Sequence, residues 1–408
     1  MNDIEPLPPD FIRVRRIALF TGVVALVLCG LGWMLSAQAF YRAYLFAWLF
    51  YLGITLGSMA WVMIHHLVGG GWGRAIQRIA EAASLNLPLL LLLFIPILLG
   101  VHSIYPWADP LRVVHDAILR HKAPYLNLGF WTVRLFVYFL IWIGLSAWLA
   151  NVSHQYDTTR SASLSLWMRR ASAGGLVLYV LTMSLAGVDW IMSREPHYYS
   201  TIFGFILVVG HALSALLVLI IVLTFLIGRE PLRSYVTLAH YNDLGNLLLT
   251  CVILWAYVAF AQYLITWSGT IQEEVKWYYL RSKGINGFLA AMMILLHFFV
   301  PFLLLLLKDV KRRPVWLAWI CAGLLFMRFI DLYWMVVPTG EPITTLNRLW
   351  LNIAAPIGIG GVWLSSFIWH LARRPLLAVS EHAEPSTAME NKQDPETGPH
   401  GERHAHPA

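Results

Sequence analysis

The chain has little charge and little cysteine. Only 12% of its 408 residues are charged, whereas 59% are hydrophobic and the mean hydropathy is +0.64. Its three cysteines, Cys29, Cys251 and Cys321, lie in apolar stretches without CxxC spacing, which argues against a disulfide framework, an iron-sulphur site or a structural zinc site. No stretch of the chain is long and polar enough for a separate soluble domain, so the composition predicts a polytopic membrane protein.

The net charge of +7 does not indicate a nucleic-acid partner. The basic residues cluster at the ends of apolar segments instead of forming one stripe, as expected for residues that set membrane topology. Lys and Arg are more frequent in the amino-terminal segment and in alternate loops, including KDVKRRP, than in the loops between them. This asymmetry predicts that both termini are cytoplasmic, with the first span retained as a signal anchor.

The hydrophobic stretches predict helices. They are about twenty residues long without strict alternation, which favours membrane-spanning helices over strands. Two glycines spaced four apart, Gly53 and Gly57, predict close helix packing in the second span. The fold class is therefore all-α, with about ten spans at approximately 17–35, 43–66, 85–104, 128–150, 173–192, 202–227, 244–268, 285–307, 315–337 and 350–371.

An internal repeat organises these spans. Spans 2 to 5 are followed at similar spacing by spans 6 to 9, with short matches such as VDW against IDLYW. Because four spans separate the copies, both copies have the same orientation, which predicts two repeated four-helix bundles and a flanking helix at each end. The expected divisions are a cytoplasmic segment at 1–16, a flanking helix at 17–42, bundles at 43–200 and 201–345, a second flanking helix at 346–374, and a disordered cytoplasmic tail at 375–408. The tail histidines predict no site: His382, His400, His404 and His406.

Two carboxylates lie deep in apolar spans. Asp189 falls within LVLYVLTMSLAGVDWIM and Asp331 within WLAWICAGLLFMRFIDLYWMVV, and Arg134 and Arg328 are their expected partners. A carboxylate in a membrane either pairs with a cation or takes up a proton. Two interpretations stay open at this stage, namely structural ion pairs and groups that relay protons.

Further polar residues extend a hypothetical proton path. Histidine exchanges protons near neutral pH, so His211 and His297 are expected to continue the path from the acids toward the cytoplasmic side. Ligation of a haem by these two histidines is the less favoured alternative, because MMILLHFFVPF is bulky throughout. Other members are Gln262 in span 7 and, near the cytoplasmic surface, His65, His66, Glu81, His240 and Asp243.

Several long phrases resemble one known family. FYRAYLFAWLFYLGITLG, VHSIYPWADP, VDWIMSREPHYYSTIFG, LWAYVAFAQYLITWSG and HFFVPFLLLLLKDVKRRP are similar to the F subunit of bacterial alternative complex III, a relative of the NrfD-like membrane anchors of polysulphide reductases. The resemblance runs from about residue 11 to 374. One departure is Asn246, where the family pattern leads us to expect a lysine.

The resemblance implies a role in quinol oxidation in the bacterial inner membrane. This chain would bind no redox cofactor itself, while partner subunits carry haem c and iron-sulphur clusters, and a second NrfD-like subunit accompanies it. Asp189 and Asp331 would take part in proton movement. Whether the chain also binds quinol stays open, and a slot at Asp189, Trp190, His197 and Tyr198 is the candidate.

Two alternatives from other classes remain. A proton-coupled secondary transporter would also have ten spans, an internal repeat and buried acids, but it is expected to have broken helices in corresponding positions of both halves. Pro88 and Pro96 interrupt span 3 without a counterpart in span 7. The third interpretation is a purely structural membrane scaffold for partner subunits.

Overall fold

The computed structural model describes residues 9–338 and 350–378, and the regular elements of this part of the chain are helical. Ten of its helices are long and apolar enough to cross a membrane, which confirms the predicted fold class. We label them α1 (Asp10–Leu35), α2 (Ala37–Val68), α3 (Gly71–Leu99), α4 (Leu128–Thr159), α5 (Ala162–Arg194), α6 (Phe203–Leu226), α7 (Leu238–Gly269), α8 (Gly284–Leu306), α9 (Pro314–Val336) and α10 (Leu351–Leu371).

Several helices are longer than their predicted spans. Helices α2, α4 and α7 have 32 residues each, although about 20 residues suffice to cross the hydrocarbon region. Helix α4 continues to Thr159 beyond the apolar run that ends near residue 150, and the added turns hold Ser153 and Asp157. Hydropathy detects only the apolar part of a helix, so it misses polar turns that continue the same backbone hydrogen bonds.

Two membrane helices are irregular. Helix α3 consists of the segments Gly71–Ser84, Leu87–Leu92 and Ile95–Leu99, and a proline occupies the first turn of the second and third segments. Proline lacks the amide hydrogen that an uninterrupted helix requires, so it is accommodated where a new helix begins. Helix α8 contains a π-helical turn at Met293–Phe299. Such turns interrupt the regular backbone ladder and occur frequently at functional sites.

The helices pack as two rings of four. Helix α2 contacts α3 and α5, and α4 closes the first ring by contacting α3 and α5. Helix α6 contacts α7 and α9, and α8 closes the second ring between them. Helices α1 and α10 pack against each other and against α2, so the two flanking helices are neighbours.

Helices α2 and α6 join the two rings at a close crossing. A Cβ atom added to Gly57 would lie 2.0 Å from the carbonyl oxygen of His211, and one added to Gly53 would lie 2.8 Å from its imidazole ring. Only glycine permits this backbone approach, as the four-residue spacing predicts.

Each membrane helix runs in the direction opposite to the one before it. The carboxyl ends of the odd-numbered helices therefore lie on one side of the bundle. We call this side the far face and the side on which α1 begins the N-terminal face. Residues 1–8, 339–349 and 379–408 lie outside the described residues. They include parts of the predicted amino-terminal segment, of the second bundle and of flanking helix 10, and nearly all of the predicted tail with its four histidines.

Candidate functional site

The first buried acid is Asp189, near the far-face end of α5. Arg134 on α4 donates from Nε to Oδ2 at 2.8 Å and from Nη2 to Oδ1 at 2.7 Å. Tyr138, one turn further along α4, donates its hydroxyl to Oδ2 at 3.0 Å. The expected pairing of Asp189 with Arg134 is confirmed. Asp189 therefore accepts three hydrogen bonds from α4 within a buried site.

Aromatic side chains enclose this ion pair. The Arg134 guanidinium lies over the ring of Tyr125 at 3.8 Å and donates to the Tyr125 carbonyl oxygen at 2.9 Å. Trp131 and Ser193 donate to the backbone carbonyl of Asp189 at 3.1 and 2.7 Å. Tyr125 lies in the loop before α4, where burial raises its pKa to about 12. The pair is held by cation-π contacts as well as charge, and it is screened from solvent.

The second acid is Asp331, near the far-face end of α9. Arg328, one turn earlier on the same helix, forms an ion pair with its Oδ2 atom, and the indole of Trp255 on α7 donates to the same oxygen at 3.1 Å. This pairing was also expected and is confirmed. Arg328 Nε lies 3.4 Å from the hydroxyl oxygen of Ser214 on α6, so three helices of the second ring meet here.

His297 lies beside this second site without a hydrogen-bond partner among the described residues. It is fully buried on the π-helical turn of α8, and neither ring nitrogen finds a donor or acceptor there. Its ring stacks on Trp255 with centroids 3.9 Å apart, and the charge of Arg328 acts on it. A buried imidazole normally has at least one partner, because an unpaired polar group in an apolar environment is costly.

His211 lies at the junction of the two rings. The Tyr179 hydroxyl on α5 and the His211 Nδ1 atom are 3.2 Å apart, and the Arg328 guanidinium packs against the neighbouring Gly210. The structure therefore brings His211, His297, Arg328 and Asp331 into one region of the second ring and its junction with the first.

A separate polar cluster occupies the N-terminal face of the first ring. Glu81 on α3 is fully buried, 2.5 Å from Arg78, and accepts a hydrogen bond from Ser153 on α4 at 2.7 Å. Arg78 also forms an ion pair with Asp157, and Gln77 donates to Glu81 at 3.0 Å. Of the residues of the predicted proton path, Glu81 lies in this cluster, and His65 is bonded to its member Gln77.

The chain after α10 covers this cluster. Arg374 donates to the carbonyl oxygen of Ala150 at 2.6 Å and lies 3.4 Å from Glu81, while Arg74 donates to the carbonyl oxygen of Ala378 at 2.7 Å. Charged groups from α3, α4 and the segment after α10 therefore share one buried network.

Polar side chains continue from Glu81 into the first ring. Ser84 donates to the Glu81 carbonyl, and Ser146 donates to Ser84 at 2.8 Å. Asn86 is fully buried, and its side-chain amide makes no hydrogen bond to any described residue. Nearer the far face, Trp142 donates to Thr182 at 2.8 Å. These groups lie between the Glu81 cluster and the Asp189 ion pair.

The other residues predicted near the N-terminal face are dispersed. His66 Nδ1 lies 3.0 Å from the hydroxyl of Ser172 on α5, whereas His65 packs against Gly73 and Trp72. His240 caps the start of α7, where its Nδ1 atom accepts from the backbone of Thr237 at 3.3 Å. Asp243 is exposed one turn later. His65 reaches the Glu81 cluster through a side-chain hydrogen bond with Gln77, whereas no hydrogen bond or ion pair within the described residues joins His66, His240 or Asp243 to Glu81.

The four residues of the predicted quinone slot lie in different environments. Trp190 packs edge-on against Trp48, and its ring is buried. His197 is half exposed, and its Nε2 atom forms a hydrogen bond with the carboxyl group of Asp116 at 2.8 Å. Tyr198 stacks on Trp277 with ring centroids 5.0 Å apart. Among the described residues, no hydrogen bond or ring contact joins Trp190, His197 and Tyr198 to one another.

Gln262 lies at the far-face end of the second ring. Its amide nitrogen donates to the Tyr198 hydroxyl at 3.2 Å and to Thr266 at 3.1 Å, and its carbonyl oxygen accepts from Ser200 at 2.5 Å. These bonds tie α7 to the loop between α5 and α6. Within the described part of the chain, Gln262 makes no hydrogen bond to Asp331 or to His297.

Asn246, where the resemblance led us to expect a lysine, has a lysine from another element beside it. Lys311, between α8 and α9, donates to the side-chain oxygen of Asn246 at 2.7 Å, and its stem packs against Gly245. A cation therefore lies at this end of α7, although another element supplies it.

Sequence reasoning missed several members of these clusters. Arg78 stands three residues before Glu81, and Tyr138 stands four residues after Arg134, which are spacings that place side chains on one helix face. Those pairs were detectable. Trp255, Asp157 and Arg374 come from separate elements and have no local sequence signal.

Comparison of the chain with protein-family models and with curated proteins found no match.

Proposed function

We propose that this chain is an integral membrane subunit of a quinol-oxidising respiratory complex of the alternative complex III type. It carries no redox centre of its own and takes part in the proton movement coupled to quinol oxidation. Haem c, iron-sulphur clusters and a second NrfD-like subunit belong to its partners, and the complex lies in the bacterial inner membrane with both termini of this chain in the cytoplasm. The resemblance of the long phrases in α2, α5, α7 and α8 supports the identity of the complex.

His297 carries the proposal of proton movement. A buried imidazole without a hydrogen-bond partner does not help a purely structural subunit to pack. A proton carrier, in contrast, needs a neutral ring whose nitrogens can accept and release a proton. The ring lies beside Trp255, whose indole donates to Asp331. Ionisable groups inside a membrane bundle mark ion or proton pathways more often than they serve packing alone.

The two acids have different roles in this proposal. The Asp189 carboxylate accepts three hydrogen bonds, two of them from Arg134. It has to separate from Arg134 before it takes up a proton, so the ion pair hinders proton transfer through this site. Asp331 has two donors among the described residues and an unpaired imidazole nearby, so proton exchange requires less rearrangement there. We therefore assign the larger share of proton transfer to the second ring.

The positions of the helix breaks argue against a secondary transporter. Helix α3 is broken in two places, whereas its counterpart α7 runs without a break from Leu238 to Gly269. Inverted or parallel repeats of transporters usually break corresponding helices in both halves, because the substrate binds between the breaks. The π-helical turn of α8 likewise has no counterpart in α4, which is regular.

Purification from mild detergent tests the identity of the complex. We expect haem c and iron-sulphur subunits to accompany the chain, and recovery of the chain alone would contradict the proposal. Proton movement is tested separately in proteoliposomes by the protons released per quinol oxidised. His297→Phe and Asp331→Asn should lower this ratio while assembly is retained, and Asp116→Asn is the surface control. An unchanged ratio in an assembled His297→Phe complex would favour the scaffold.

A further inference from the structure

Trp255 on α7 contacts two ionisable side chains of the second ring at once. It lies between His297 on α8 and Asp331 on α9, and only 7% of its surface is exposed. Its ring stacks on the His297 imidazole, with centroids 3.9 Å apart and planes inclined by 30°. Its indole nitrogen donates to Oδ2 of Asp331 at 3.1 Å. The ring face and the N–H edge are different parts of one side chain, so both contacts exist together.

The hydrogen bond from Trp255 orients the carboxyl group of Asp331. Arg328 forms its ion pair with the same oxygen, Oδ2, so side chains from α7 and α9 both donate to one atom. Two donors on one oxygen limit the rotation of the carboxyl group. Loss of the indole N–H would leave Arg328, one turn away on the same helix, as the remaining described donor to Asp331.

The stacking contact acts when His297 carries a proton. An imidazolium is a cation, and a cation within about 6 Å of an indole centroid is attracted by the negative face of the ring. Tryptophan gives the strongest contact of this kind, and the attraction increases where water is excluded. His297 is 0% exposed, and neither of its nitrogens has a hydrogen-bond partner among the described residues. A positive charge on this ring is therefore stabilised by the indole face and not by a hydrogen bond within the described chain.

We propose that Trp255 is a positioning residue for proton transfer in the second ring. Its ring holds His297 and stabilises the imidazolium, and its N–H group holds the Asp331 carboxyl group beside Arg328. The imidazole takes up one proton and returns to its neutral form when that proton leaves, so nothing else is gained or lost. This inference rests on the proposed role of His297 in proton movement and adds the residue that keeps the carrier in place.

Infrared difference spectroscopy of the assembled complex in proteoliposomes tests this role. Spectra of the complex with ring-labelled histidine are compared at rest and during quinol oxidation, and the band of His297 is the one lost in His297→Phe. Trp255→Leu removes the ring and should lower the imidazolium band about tenfold, the effect of one desolvated cation-π contact. Trp255→Phe keeps an aromatic face and should restore part of the band. The protons released per quinol should fall more in Trp255→Leu than in Trp255→Phe.

Trp363 on α10 provides the matched control. It is also buried, donates its indole nitrogen to Thr55 on α2 at 2.8 Å, and stacks on Phe367 with centroids 5.4 Å apart. Trp363→Leu therefore removes the same atoms from a similar setting without touching an ionisable side chain. It should leave the imidazolium band and the proton ratio unchanged. Equal losses in Trp255→Leu and Trp363→Leu would overturn the proposal, since both would report a general loosening of the packing.

The remaining outcomes separate this inference from the proposed function. A lower proton ratio in His297→Phe together with an unchanged band in Trp255→Leu would overturn the role of Trp255 and leave the proton carrier. An unchanged ratio in an assembled His297→Phe complex would contradict both. Where Trp255→Leu fails to assemble, Trp255→Phe decides. A band and a proton ratio equal to those of the unaltered complex would then overturn the proposal, because neither the N–H group nor the indole face would have an effect.

Discussion

Replacement of Asp189 by Asn tests whether the buried ion pair is held in its charged form. The side chain of Asp189 is 1% exposed, and that of Arg134 is 9% exposed. Asn keeps the shape of the side chain but leaves the Arg134 guanidinium with an uncompensated charge inside the bundle. Removing one partner of a buried ion pair costs about 3–5 kcal/mol, because the remaining charge stays desolvated.

A surface pair provides the matched control. Asp116 pairs with His197 at 2.8 Å, close to the 2.7 Å of Asp189 and Arg134, but its side chain is 27% exposed. Exposed pairs contribute about 0–1 kcal/mol, since water and salt screen them. Asp116→Asn therefore makes the same chemical change at nearly the same distance and should have little effect on stability.

Tyr138→Phe separates the hydrogen bond from the ion pair. It removes one donor to Asp189 without changing charge, and hydrogen bonds between membrane helices average about 0.6 kcal/mol with a maximum of about 1.7. The assay is the free energy of unfolding from titration of the bicelle-embedded protein with sodium dodecyl sulphate. The expected order of destabilisation is Asp189→Asn, then Tyr138→Phe, then Asp116→Asn. A loss below about 1 kcal/mol for Asp189→Asn would refute a charged pair and leave a protonated Asp189.

Three further outcomes are expected. Gly57→Ala should destabilise the protein by about 1–3 kcal/mol in the same titration, because its Cβ would lie 2.0 Å from a backbone oxygen of α6. The hydrogen bond from His197 holds the pKa of the Asp116 carboxyl below its ordinary value. This contact therefore stabilises the fold above the ordinary pKa of aspartate, and the contribution is lost as the pH falls through the lowered value. The stability difference between the unaltered protein and Asp116→Asn should accordingly vanish in acid. Lys311→Met, which keeps most of the side-chain stem, should lose about 1 kcal/mol with its hydrogen bond to α7.

Each of these predictions has an outcome that contradicts it. Gly30→Ala is the control for Gly57→Ala, since a Cβ at Gly30 would meet no atom within 4 Å. Equal effects of the two substitutions would mean that the close crossing of α2 and α6 is not tight in the membrane. A difference for Asp116→Asn that grows in acid would reverse the sign and exclude the lowered pKa. For Lys311→Met, a stability equal to that of the unaltered protein would show that the buried ammonium contributes no net energy.

Part of the candidate site could be predicted from the sequence. Asp189 and Asp331 stood out because a carboxylate in a long apolar run is rare, and Arg328 stood out because it lies one turn from Asp331. The different surroundings of the two acids could not be predicted from the sequence. Trp255 is one of 19 tryptophans, and only the packing of α7 against α8 and α9 brings it between His297 and Asp331.

The helix ends show a similar division. Hydropathy placed all ten spans, yet it stopped α4 near residue 150, before the turns that hold Ser153 and Asp157. Those turns complete the Glu81 cluster. Polar residues at the end of a membrane helix resemble loop residues in a hydropathy profile, because the profile records transfer to hydrocarbon and not backbone hydrogen bonding.

The sequence by itself determined the class of protein, the number of helices and the presence of two intramembrane acids. These follow from local properties, since about twenty apolar residues must form a helix in lipid to satisfy their backbone groups. The tertiary structure alone decided which polar groups meet. It placed α1 beside α10, assigned Lys311 to Asn246, and left His297 without a bonding partner in the described chain. Such contacts join residues far apart in sequence, so they depend on how the helices pack and not on the residues near them.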